Sequence, residues 1–157
     1  MTKISRTLLA ATALLSFLPG LAQAQDEERA TPVQAKALLD KAVADLQMEG
    51  PEKAFAAFND PKSGYTIHEL YVFVFDLNGR YEASGANPKL VGNNAHDLKD
   101  AEGKPIVREI IALAKSKGHG RVDYVWLNRA ANHVEKKRSL IQRVGNHIVG
   151  VGYYENN

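Results

Sequence analysis

The sequence contains no cysteine. This absence excludes disulfide cross-links, thiolate metal sites, thiol catalysis and haem attachment through Cys-x-x-Cys-His. The core must therefore be stable without covalent cross-links. Motifs for other chemistry are also missing, since the sequence has no Gly-x-Ser-x-Gly elbow and no phosphate-binding loop. The histidines do not have the spacing of a metal site, so we expect no metal and no cofactor. They are scattered over the sequence at His68, His96, His119, His133 and His147.

The chain also lacks an excess of charge of one sign. Its 157 residues include 20 basic and 18 acidic side chains, and two of the basic ones, Lys3 and Arg6, lie near the N-terminus. The remainder is therefore about neutral, with 18 charges of each sign. Nucleic-acid binding depends on neutralising phosphates, so a neutral domain argues against nucleic acid as the main partner.

A hydrophobic run occurs only at the N-terminus, where residues 1–24 are predicted to be a cleaved signal peptide. The two cations precede an apolar stretch, Leu8–Leu21, and Ala22-Gln23-Ala24 is a small-x-small cleavage site. An uncleaved anchor is the alternative, but the stretch is shorter than the roughly 20 residues of a spanning helix. We therefore predict a periplasmic protein with one domain over residues 25–157 and no transmembrane segment after cleavage.

Helical signals occur in two regions of this domain. Thr31 is a predicted N-cap with Pro32 and Gln34 in capping-box positions, and Gly50 and Pro51 separate this long helix from a short second one. The long helix has one apolar stripe, formed by Ala35, Leu38, Leu39, Ala42, Val43 and Leu46. A middle helix is predicted after Pro105, with a buried face of Ile106, Val107, Ile110, Ile111, Leu113 and Ala114.

The remaining regular segments have strand patterns. The apolar run Leu70–Asp76 precedes Asn78-Gly79, which suits a type I′ hairpin turn. Three further strands are predicted over Arg121–Leu127, Lys137–Val144 and His147–Tyr154. The predicted fold is α+β, with an antiparallel sheet of about five strands, a long N-terminal helix and a middle helix. The polar stretch between Gly85 and Gly103 is too long for a simple connection and is predicted to be either functional or disordered.

Several of these segments together form a recognisable pattern. They are the strand and turn Tyr71–Gly79, the Pro-x-Leu-x-Gly-x-Asn loop within Asn87–Asn94, the Tyr-x-Trp strand ending at Trp126, and the last strand Val149–Tyr154. In this order they resemble the single Cache domain, type 2, a PAS-like extracytoplasmic module of bacterial chemoreceptors and sensor kinases. The resemblance covers Thr31 to Tyr154.

The chain departs from the family pattern at three places near the expected pocket. Gly85-Ala86-Asn87 stands where the family often has a histidine, no proline follows Tyr-x-Trp between Asn128 and Asn132, and Leu140 stands where an aromatic residue is common. These departures favour an alternative in which the domain is an accessory, protein-interaction subunit with a filled pocket.

The resemblance implies a sensor-type domain that binds a small polar metabolite, and our hypothesis for the ligand is a short carboxylate. The predicted ligand-binding residues are the aromatic side chains of Tyr71, Phe73, Tyr81, Tyr124 and Trp126, the amide of Asn93, and Lys137. For the aromatic residues the alternative is core packing, which we favour for Phe75. For Asn93 the alternative is that the Asn87–Asn94 loop is a turn that caps the following segment. Because family members pass their signal through a membrane helix, we expect this domain to need a membrane-bound signalling partner.

Lys137 is the predicted partner for the charge of the ligand. Strand alternation sends Lys137 and Arg138 to opposite faces, so at most one of them can serve the pocket. The alternative is that Lys136, Lys137 and Arg138 form a solvated basic run. An enzyme on the same fold would need an acid–base pair, for which the sequence offers only Asp123 and the scattered histidines; we therefore expect no catalysis.

Overall fold

The computed structural model describes residues 29–129 and 131–155. The predicted signal peptide and its cleavage site lie outside these residues. The described elements, in chain order, are α1 (Pro32–Glu49), α2 (Pro51–Asn59), β1 (Thr66–Ile67), β2 (Leu70–Asp76), β3 (Tyr81–Ser84), a 3₁₀ turn (Pro88–Leu90), α3 (Ile106–Ser116), β4 (His119–Asn128), β5 (His133–Val144) and β6 (His147–Tyr154).

The predicted start of α1 is confirmed. The backbone N–H of Gln34 donates to the Thr31 hydroxyl at 3.2 Å, and the Gln34 side chain accepts from the backbone N–H of Thr31 at 2.7 Å. The six predicted apolar residues of α1 are all buried. A helix of this length is therefore started by a local cap and held by packing of one face on the sheet.

The strands form one antiparallel sheet in the order β1-β2-β6-β5-β4, with β3 pairing the second half of β2. It has six strands among the described residues rather than about five, because the short β1 pairs the start of β2. Strand β6 pairs over most of its length with β2, which is distant in the chain, and with β5, which directly precedes it. The PAS-like α+β fold is thus confirmed.

The turn between β2 and β3 differs from the predicted type I′ turn. Gly79 has a positive φ of 85°, but Asn78 does not, whereas a type I′ turn needs positive φ at both positions. The Asp76 carboxylate explains the difference, since it accepts the backbone N–H groups of Asn78 at 2.8 Å and Arg80 at 2.9 Å. The turn is organised by this side chain rather than by the Asn-Gly pair alone.

The two faces of the sheet carry separate cores. One face packs under α1 and α2 and includes Leu70, Val72, Val74, Val149 and Val151. The other face packs under α3 and the segment of residues 85–105, and includes Phe73, Phe75, Val122, Ile141 and Ile148. This separation follows from the two-residue alternation of the strands and leaves the second face available for a cavity.

Asp100 attaches the long segment of residues 85–105 to the edge strand β4. Its carboxylate accepts the backbone N–H groups of Glu102 at 2.9 Å, Lys104 at 2.8 Å and Val125 at 3.1 Å. Burial works to raise the pKa of Asp100, but these three hydrogen bonds outweigh it and lower the pKa. The segment is therefore anchored at one end beside the sheet.

Candidate functional site

A cavity of about 480 Å³ lies between the second face of the sheet, α3 and the segment of residues 85–105. All five aromatic residues predicted for the site line it, and so does Phe75. The register explains why they meet: residues two apart on a strand share a face, and Phe73 and Phe75 of β2 lie beside Tyr81 of β3. These residues therefore lie together on the face of the sheet that borders the cavity.

Asn93 is not brought to the cavity. It is exposed, and its backbone carbonyl accepts the N–H of Tyr81 at 2.9 Å. The N–H of Gly92 in turn donates to the carbonyl of Tyr81 at 2.8 Å. This part of the loop extends the edge of β3 as a strand would, and the Asn93 amide is not part of the cavity wall.

Lys137 is buried, with only 2% of its surface exposed. In β5 it lies directly between Tyr124 of β4 and Tyr154 of β6. Its aliphatic chain crosses Gly152, where a Cβ would stand only 2.5 Å from Lys137 Cε. The ammonium donates to the Tyr71 hydroxyl at 3.2 Å and lies 4.5 Å and 4.3 Å from the ring centres of Tyr71 and Tyr154.

The Lys137 ammonium has no carboxylate partner within 4 Å in the described part of the chain. Burial lowers its pKa to about 7, and the charge of Glu69 opposes this shift only in part. Arg138, on the opposite face, instead pairs with Asp123 and with Glu155 at 2.6 Å. The alternative of a solvated basic run therefore does not describe Lys137.

The Tyr71 hydroxyl connects Lys137 to the cavity. It accepts from the ammonium, and no acceptor for its own proton is found among residues 29–129 and 131–155. Burial raises its pKa, while the positive charge of Arg129 acts in the opposite direction. Arg129 is exposed and also lines the cavity. One end of the cavity thus combines a hydroxyl donor with two nearby cations.

The other tyrosines remain protonated hydrogen-bond groups at neutral pH. Burial raises the pKa of Tyr81 to about 12, and it also raises the pKa values of Tyr124 and Tyr154. The Tyr124 hydroxyl pairs with Ser139 at 2.8 Å, and the Tyr154 hydroxyl donates to the backbone carbonyl of Leu127 at 2.8 Å. These bonds fix both rings in the wall, whereas Lys137 itself lies behind the wall.

Sequence reasoning missed part of the site. Tyr154 lines the cavity, and so do the apolar residues of α3, namely Ile106, Val107 and Ile110. Arg129, which the sequence offered only as a less favoured contact than Lys137, lines it as well. Tyr154 could have been found from the alternation Gly150-Val151-Gly152-Tyr153-Tyr154, which places it on the same face as two glycines. No local signal indicated that α3 would cross this particular face of the sheet.

The model of the family described as single Cache domain 2 matches residues 10–157. The chain belongs to the single Cache domain 2 family. Domains of this family are extracytoplasmic sensors, and those of chemoreceptors bind ligands without catalysing a reaction. In the described part of this Cache domain, no helix has both the length and the apolar character needed to cross a bilayer.

Two curated relatives are signalling proteins. The chain is 32% identical over 89 residues to the methyl-accepting chemotaxis protein McpP of Pseudomonas putida, matching 55% of this chain and 16% of that protein. It is 30% identical over 86 residues to the sensor histidine kinase MctS of Rhizobium johnstonii, matching 54% of this chain and 18% of that protein. The matched segment thus spans less than a fifth of the length of either relative.

A solved structure shares both the fold and part of the sequence. It is a Cache chemosensory domain described for its recognition of carboxylic acid, with a TM-score of 0.61 against this chain at 26% identity. The match covers 79% of this chain and 88% of that domain. The fold of the cavity-bearing sheet is therefore one that a ligand-binding sensor domain uses.

Proposed function

We propose that this Cache domain binds a small carboxylate in the 480 Å³ cavity, with Tyr71 as the donor that contacts the ligand and Lys137 as the charge behind it. The observation that carries this proposal is a buried ammonium without a carboxylate partner in the described part of the chain, which lies behind the cavity wall and donates to the wall residue Tyr71. Burying an unpaired charge is costly, and a bound carboxylate would supply the missing opposite charge.

The position of Arg129 supports the same end of the cavity as the site of the carboxylate. Arg129 lines the cavity, and its charge acts on the Tyr71 hydroxyl. A carboxylate that accepts from this hydroxyl would lie near both cations. Charge-assisted hydrogen bonds of this kind are stronger than neutral ones. The carboxylic acid recognised by the similar Cache chemosensory domain is consistent with this ligand class.

Isothermal titration of acetate and propionate into the wild type and Lys137→Met tests the proposal. Methionine keeps an unbranched chain over Gly152 but removes the charge, so we expect affinity to fall about 10- to 100-fold. Lys136→Met is the matched control, because Lys136 is exposed and next in sequence. Equal affinities of wild type and Lys137→Met would remove Lys137 from the site. Melting curves establish that each variant is folded.

We further propose that the protein acts in the periplasm and reports its ligand state to a membrane-bound signalling partner. The relatives that support this are a chemoreceptor and a sensor kinase. N-terminal sequencing of the exported protein should give Gln25 as the first residue, whereas a retained segment 1–24 would contradict cleavage. We expect the immobilised domain to capture a membrane protein, and we expect the captured amount to change when carboxylate is added.

The alternative of an accessory subunit with a filled pocket makes a different prediction. A protein of that kind would show no thermal shift with any carboxylate, yet would still retain a partner in a pull-down. The size of the cavity favours ligand binding over this alternative, because a cavity of several hundred Å³ is typical of a small-molecule site. A ligand at 100 times its dissociation constant should stabilise the domain by about 2.7 kcal/mol.

A further inference from the structure

The cavity is larger than a short carboxylate requires. At about 30 Å³ for each water, its volume of about 480 Å³ corresponds to roughly sixteen waters. Acetate or propionate, with about four or five non-hydrogen atoms, would occupy about a third of that space. A short acid would leave the remaining wall either hydrated or unfilled.

The unfilled part of the wall is apolar. At the α3 side the cavity is lined by Leu98 and Trp126, both partly exposed, and by small parts of Ile106, Val107 and Ile110, each at most 3% exposed. Waters held against such a surface find few hydrogen-bond partners, and their displacement by an apolar group is favourable. The cavity therefore has one polar end, at Tyr71 and Arg129, and one apolar end.

Two glycines of β6 allow large side chains to lie close to the sheet beside the cavity. The ring of Phe73 lies flat over Gly150, where a Cβ would stand only 2.1 Å from Phe73 Cζ. Gly152 receives the chain of Lys137 in the same way. These two glycines leave room for the side chains of Phe73 and Lys137 close to the sheet, and of these two Phe73 lines the cavity.

The charges around the cavity suit one negative charge on the ligand. Apart from His68, the charged residues among the described lining are Glu69 and Arg129, which offset each other. Lys137, directly behind Tyr71, is then the remaining charge. A second carboxylate on the ligand would have to lie near Glu69 or in the apolar end, and both positions are unfavourable.

We infer that the ligand is a monocarboxylate with an apolar body, aliphatic or aromatic, of about eight to twelve non-hydrogen atoms in total. The carboxylate lies at Tyr71, and the body extends over Phe73 toward Val107 and Ile110. This inference rests on the proposed function, because it assigns the carboxylate to the same end of the cavity.

Titration calorimetry with acetate, butyrate, hexanoate, octanoate and phenylacetate tests the inference. Each methylene that becomes buried should improve affinity about fourfold until the apolar end is full. Val107→Phe, which fills that end, should weaken octanoate and phenylacetate at least about tenfold more than acetate. Because a substitution inside the core can impair folding, Leu98→Trp, at a partly buried position in the long segment, serves as a second cavity-filling variant.

The outcomes separate the two proposals. If acetate binds as tightly as octanoate or phenylacetate, the inference is overturned while carboxylate binding at Tyr71 stands. If phenylacetamide binds as well as phenylacetate, or Lys137→Met binds octanoate as well as Lys136→Met does, the carboxylate assignment itself is overturned. Absence of binding by every acid in folded protein overturns both.

Discussion

Replacing Lys137 by methionine is expected to stabilise the ligand-free domain, and the gain should depend on pH. Burial holds the pKa of Lys137 at about 7, against an ordinary value of 10.5. At about 1.36 kcal/mol for each pKa unit, the charged form costs about 5 kcal/mol. The cation–π contacts with Tyr71 and Tyr154 offset about 1–2 kcal/mol of this cost. We therefore expect a net gain of about 3–4 kcal/mol in Lys137→Met at pH 6.

The direction of the pH dependence follows from proton binding. Between pH 7 and 10.5 the unfolded lysine holds a proton that the folded lysine has released. Stability rises with pH wherever the unfolded state binds more protons, so the wild type should gain about 1.4 kcal/mol per pH unit in this window. The advantage of the methionine variant should accordingly be largest below pH 7 and shrink as pH rises.

Urea unfolding of wild type, Lys137→Met and Lys136→Met between about pH 6 and pH 9.5 measures this difference. Below pH 10 the buried tyrosines stay protonated in both proteins, so their contributions cancel in the comparison. The exposed Lys136 variant should follow the wild type at every pH. A difference between Lys137→Met and wild type that does not change with pH, or a wild type that is more stable at pH 6, would refute the reasoning.

Three further predictions concern the cavity and its surroundings. Carboxylate affinity should fall about tenfold per pH unit above pH 7, because binding requires the Lys137 ammonium; calorimetry should show this slope in wild type and none in the methionine variant. Gly150→Ala should lower the free energy of unfolding by about 1–3 kcal/mol in urea, since the new Cβ collides with the Phe73 ring, and an unchanged midpoint would contradict that contact. Arg29→Ala should cost about 1–3 kcal/mol because it removes two hydrogen bonds of 2.9 Å to the buried Glu135 carboxylate, and a loss that persists unchanged in a Glu135→Gln background would show that another contact is responsible.

Local patterns were sufficient to predict most of the elements. The capping box of Thr31 and Gln34 involves residues three apart, and the apolar stripe of α1 depends only on helical period. The alternation of β5 likewise predicted that Lys137 and Arg138 would lie on opposite faces, as they do. Each of these features depends only on residues that are a few positions apart in the sequence.

Two features were decided by hydrogen bonds that these patterns did not include. Asn93 suited a binding loop in sequence, but pairing with the edge of β3 left it exposed. The turn at Asn78-Gly79 took its geometry from hydrogen bonds to the Asp76 carboxylate rather than from the dipeptide. In both cases the conformation was decided by a competing set of hydrogen bonds, which residue propensities do not describe.

The amino-acid sequence by itself determined the helices, the strands, their buried faces and the family to which the pattern is similar, because these depend on period, caps and turns. The tertiary structure decided that β6 lies between β2 and β5, which brings Tyr71 to Lys137, 66 residues away. It also decided the size of the cavity and the close approach of Phe73 to Gly150, because open space depends on which side chains meet across strands. A cavity is a property of packing between distant segments, and no local pattern encodes its size.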